Sequence, residues 1–121
     1  MKKFGSKNND AKKRSYVFAL EIINFTRNLP KDLATQIIAK QLIRSATSVG
    51  ANIIEAQASS SRRDFKNFLS HSLKSANETK FWLCLIRDSL KSKPKKAEQL
   101  LDEVNQLSNI LGKSILTLKN K

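Results

Sequence analysis

Apolar residues return at steps of three and four along most of this chain, and that periodicity confines the fold to helices packed on one another. Phe18, Ile22, Phe25 and Leu29 make a first stripe, widened by Tyr16, Leu20 and Ile23. Pro30 interrupts it, because proline suits a first helical turn and not a helix interior. A second stripe runs through Ile38, Leu42, Ala46, Val49, Ile53 and Ala56. Ser59, Ser60 and Ser61 break it, and Ser61 with Asp64 forms an S-x-x-D helix start. Phe65, Phe68, Leu69, Ser72, Ala76, Thr79, Leu83, Ile86 and Leu90 make the third stripe, which the lysine-rich segment around Pro94 ends. The fourth, Ala97, Leu100, Val104, Leu107, Leu111, Ile115 and Leu118, is close to a heptad.

The spacing predicts helices near 11–29, 31–58, 62–91 and 95–119, after a basic segment, 1–10, that reads as a disordered arm. No segment alternates with a period of two. Short connections make neighbouring helices antiparallel, so the fold class is an all-α, up-down-up-down four-helix bundle. The second and third helices are the longest in this reading and are expected to project past the others.

The chain has 121 residues, enough for one domain and one core. Cys84 is its only cysteine, which excludes an internal disulfide and a cysteine-cluster metal site. With no signal peptide pattern and no apolar run near the length of about 20 residues needed to cross a bilayer, the expectation is a cytoplasmic protein without a membrane partner. Lys and Arg number 23 against 10 Asp and Glu, a net charge of +13. Such an excess favours a polyanionic partner, though lysines also serve solubility alone.

SVGANIIEA, Ser48 to Ala56, places a glycine and small residues inside the second stripe. No lysine follows Gly50 and no strand precedes it, so it is not a phosphate loop. Close approach of another backbone is the better reading: Ser45, Ser48, Gly50, Ala51 and Ala56 thin the second helix, as Ser72, Ser75 and Ala76 thin the third. Periodicity alone leaves open whether these faces serve the core or a contact between subunits.

QLIRSATSVGANIIEA (Gln41–Ala56), followed by SRRDFKNFL (Ser61–Leu69) and then Ser75 and Glu78, resembles a four-helix-bundle family. Its members include proteins encoded by intervening sequences in bacterial 23S ribosomal RNA genes. Ile43, Ile54 and Ala56 depart from the pattern, standing where the family tends to have arginine, alanine and glycine. The resemblance implies a non-enzymatic subunit that assembles into a homo-oligomeric ring, typically a pentamer. The polar residues on the thinned helices also need partners, and Arg44, Ser48, Asn52, Glu55, Ser75 and Glu78 are the expected hydrogen-bonded groups of a subunit interface, since a half-buried charge is costly unless paired. Accessory proteins of diversity-generating retroelements look similar in fold and imply a reverse transcriptase and its RNA as partners.

No catalytic arrangement stands out. His71 has Asp64 and Glu78 seven residues to either side, too far along the helix axis to orient it as a general base. There is no E-x-x-H pair for a di-iron bundle, and no cofactor is implied. The cations do form groups. In the expected topology the start of the first helix and the start of the third share one end, so Lys12, Lys13 and Arg14 join Arg62, Arg63 and Lys66 there. These six are the expected phosphate-contacting surface, with shape and phosphate recognition rather than base readout. A protein scaffold ring without a nucleic-acid role is the competing reading.

Overall fold

The computed structural model describes residues 2–92 and 94–119, with side chains over 10–92 and 94–118. Four helices follow in order: α1 (Lys2–Arg27), α2 (Leu33–Ala58), α3 (Arg62–Ser89) and α4 (Lys95–Lys119). Among the described residues there is no strand.

Local chemistry sets the boundaries. The Asp32 carboxylate accepts from the Thr35 amide (3.1 Å) and starts α2. The Ser61 hydroxyl accepts from the Asp64 amide (3.0 Å) and starts α3, as the S-x-x-D pattern required. α2 ends where the Ser59 hydroxyl and amide both turn back on the Ala56 carbonyl.

Two expectations about length need correction. The helices have 26, 26, 28 and 25 residues, so α2 and α3 are not a long pair standing past short neighbours. The difference lies mostly in α1, which begins at Lys2 where the sequence reading placed a disordered arm. No proline interrupts 2–10, and a nucleated helix propagates at low cost past its packed part. Among the described side chains, packing begins at Ala11; Met1 lies outside the described residues.

Cross-helix bonds fix the direction of two neighbouring pairs. Ser45 meets Thr79 while Val49 meets Ser72, so α2 and α3 are antiparallel. Arg14 meets Glu103 while Glu21 meets Lys96, so α1 and α4 are antiparallel as well. The core is made by Phe18 and Ile22 from α1, Leu42, Val49 and Ile53 from α2, Leu69, Leu83 and Ile86 from α3, and Leu100, Val104, Leu107 and Leu111 from α4. All twelve are essentially removed from water. Tyr16 and Leu20 are not part of it: they are 65% and 45% exposed on the outer face of α1, and Ile23 is half-buried. The first stripe is therefore narrower than its apolar residues indicate.

α2 and α3 share the most extensive contact in the bundle. Small side chains make it possible. Gly50 serves the other flank of α2: a Cβ there would lie 3.0 Å from Ser15 Oγ on α1. Close approach is thus the reason for the glycine, whereas Ala51 faces solvent.

Candidate nucleic-acid interface

Up-down-up-down topology brings four chain segments to one end of the bundle: the start of α1, the end of α2, the start of α3 and the end of α4. Arg62 and Arg63 are exposed there and Lys66 is half-buried, whereas Lys12 and Lys13, also exposed, lie past the first two turns of α1, a helix with no close backbone contact to α3 among the described residues. None of the five makes an ion pair among the described residues. Arg62 and Arg63 sit in the first helical turn after the Ser61 cap, so the exposed amides of a helix start add to their positive field.

Arg14 departs from this group. Its guanidinium is pinned to α4, with Nε 3.1 Å from Glu103 Oε2 and Nη2 2.9 Å from Glu103 Oε1. A third bond reaches Gln106 (2.6 Å). The carboxylate bonds raise its pKa against a smaller opposing effect of burial. A fork held by a carboxylate is not available to a phosphate, so Arg14 is a strut between α1 and α4. This pair spans 89 residues, and no local pattern announces it.

The residues expected at a subunit interface lie along the outer edge of the α2/α3 contact, and most are bonded within the chain. Ser75 Oγ donates to Ser48 Oγ (3.0 Å), and Asn52 Nδ2 donates to the same oxygen (3.0 Å) and to the Ser48 carbonyl (2.9 Å). Arg44 forms an ion pair with Glu78, whose Oε2 also accepts from Trp82 Nε1 (3.0 Å). Beneath this layer, Thr79 Oγ1 donates to Ser45 Oγ (2.9 Å), and Ser72 Oγ donates to the Val49 carbonyl (2.7 Å). Glu55 is exposed and stands apart from the network.

The sequence reading missed the apolar surface beside this edge. Leu33 and Ile37 of α2 are 78% and 55% exposed, and Phe81 and Leu85 of α3 are also open to solvent. Phe81 packs edge-on against Trp82, ring centroids 4.9 Å apart. The signal was present as apolar residues outside the core stripes.

His71 is exposed, and no group of three or more His, Cys, Asp or Glu side chains could hold a metal ion among the described residues. No helix among them is long and apolar enough to cross a membrane. The fold and this end of it define a small basic four-helix-bundle protein. Its sequence from residue 7 to 113 matches the family model described as 23S rRNA-intervening sequence protein, and the chain belongs to that family. A solved structure of a protein of unknown function from the S23 ribosomal protein family of Bacteroides thetaiotaomicron is 36% identical to it. That match has a TM-score of 0.83 and covers 90% of this chain and 97% of the other. No curated protein matches the chain.

Proposed function

We propose that this protein is a non-enzymatic, ring-forming subunit that binds nucleic acid, with structured RNA as its ligand. One observation carries the reading: Arg62, Arg63 and Lys66 open α3, Lys12 and Lys13 lie in the half of α1 nearer the same end of the bundle, and none of the five has an acid paired to it among the described residues. By contrast, five of the ten acids in the chain are engaged in ion pairs elsewhere: Glu21, Glu78, Asp88, Glu98 and Glu103. The other five, Asp10, Asp32, Glu55, Asp64 and Asp102, make no ion pair among the described residues, and Asp64 shares the first turn of α3 with Arg62 and Arg63; the 23 lysines and arginines still outnumber the acids. An end formed by helix starts and lysine or arginine side chains suits the phosphates of a folded strand.

Self-association is supported by the exposed Leu33 and Ile37 of α2 and Phe81 and Leu85 of α3, since apolar side chains left open on two helices that pack together suit a contact with another chain. A homopentamer is the assembly the family resemblance implies, and a reverse transcriptase is the protein partner it implies. The family's tie to ribosomal RNA genes is consistent with an RNA ligand.

Filter binding of a structured RNA across a salt series tests the reading. Affinity is expected to fall at least about tenfold between about 50 and 200 mM salt, and to be lost in Arg62→Glu/Arg63→Glu. A flat salt response, or full binding by the double variant, rejects it. Light scattering tests assembly: the mass should exceed one chain and fall to one chain in Phe81→Glu.

A further inference from the structure

The end of the bundle away from the basic cluster holds a cleft of about 420 Å³, between the α1–α2 connection and the α3–α4 connection. Its floor is apolar: Phe25 and Leu29 from the last turns of α1, and Leu90 from the end of α3. Pro30 and Pro94 also line it and offer no backbone N–H. Asn24 and Asn28 stand on the rim. The Asn28 amide nitrogen is held by the Asn24 carbonyl (3.0 Å), which leaves the Asn28 side-chain oxygen and the Asn24 side chain to bond an incoming main chain.

Cations outnumber acids around the cleft. Glu21, which lines it, is neutralised by Lys96 (3.0 Å). Asp88 and Glu98 share the single positive charge of Arg87, and Asp32 caps α2 as a carboxylate. The cations that flank the lining residues in sequence, Arg27, Lys31, Lys91 and Lys95, are exposed and make no ion pair among the described residues.

We infer that this cleft docks an acidic peptide segment of a partner protein, anchored by one large apolar side chain. The volume lies within the range of small recognition pockets, about 300–1,000 Å³. The floor takes the anchor, the rim amides take its backbone, and Arg27, Lys31, Lys91 and Lys95 meet flanking carboxylates. The occupant is a partner protein and not a second copy of the chain, because the self-association proposed above uses the exposed Leu33, Ile37, Phe81 and Leu85. This site lies at the opposite end of the helices from Arg62 and Arg63, so the molecule has one end for a polyanion and one for an acidic protein. The inference goes beyond the nucleic-acid reading and does not depend on it.

Fluorescence anisotropy with a labelled synthetic peptide, a Leu-Phe anchor flanked by glutamates, tests the proposal on the full chain. Saturable binding is expected, weakened about tenfold or more in Lys31→Glu/Lys95→Glu. Asn28→Trp, a change at an exposed position that fills the cleft, should abolish it while leaving the helical circular dichroism intact. Arg62→Glu/Arg63→Glu should leave peptide binding unchanged, and Lys31→Glu/Lys95→Glu should leave RNA binding unchanged. The proposal is overturned if the peptide does not bind, if a lysine-flanked peptide binds as well, or if Asn28→Trp binds normally. Loss of peptide binding in Arg62→Glu/Arg63→Glu also overturns it, because the peptide would then be occupying the polyanion end.

Discussion

Two glycines in helix interiors face opposite surroundings, and substitution should separate them. No neighbouring side chain lies within 4 Å of the place a Cβ on Gly112 would take, so Gly112→Ala is expected to stabilise the fold by about 1 kcal/mol through helix propensity alone. At Gly50 the same gain meets Ser15 Oγ at 3.0 Å, and that hydroxyl is fully buried and bonded to the Lys12 carbonyl (2.9 Å). Gly50→Ala is therefore expected to destabilise the natural chain. In a Ser15→Ala background, where the nearest atom becomes a carbon at 3.5 Å, it should stabilise by about 1 kcal/mol. Urea midpoints of these variants and the natural chain measure this directly. Asp32 gives a pH-dependent counterpart. The Thr35 amide holds its carboxyl below the usual aspartate range. Its contribution is thus complete above the unfolded-state pKa, about 3.9, and fades as pH falls through the lower folded value. The stability gap between the natural chain and Asp32→Ala should narrow over that acid window and stay constant near neutrality.

Between elements, the α2/α3 contact differs from the rest of the bundle in its hydroxyl layer. Ser45, Ser72 and Thr79 are all buried and all bonded across or along the seam. Thr79→Val keeps the shape and removes the donor, and should cost about 1 kcal/mol; Ser45→Ala should cost a similar amount. The double variant should cost less than the sum, because either single change already removes the bond the two hydroxyls share, and each remaining hydroxyl keeps a carbonyl of its own helix, Leu42 for Ser45 (3.3 Å) and Ser75 for Thr79 (2.7 Å). Thermal melts of the four chains would show it. Only part of this seam was legible beforehand. Small residues at helical spacing on both α2 and α3 announce a close approach, but the bonds that Arg44, Ser48, Asn52, Ser75 and Glu78 make to one another are not legible, because one helix's periodicity does not say which neighbour its flank meets. The network shows them bonded to each other within the chain. Arg14 was misread for the reverse reason: a basic residue among lysines looks free until a carboxylate 89 residues away is folded onto it.

For the molecule as a whole, +13 on 121 residues opposes compaction, so the melting temperature should rise as salt is raised from about 10 to 150 mM. A protein whose surface charges were balanced would show little change. The bundle itself was legible because four apolar stripes and short connections admit few other arrangements. Helix lengths were not legible, since α1 continues past its apolar stripe into a polar segment that carries no packing signal. One practical outcome concerns the start of α1 and the finish of α4, which emerge side by side. Any purification handle or fluorescent fusion added at either terminus is carried to the face where Arg62 and Arg63 stand, and an acidic one would compete there with nucleic acid. A dye attached instead at Ser92, on the far connection, leaves that face unobstructed.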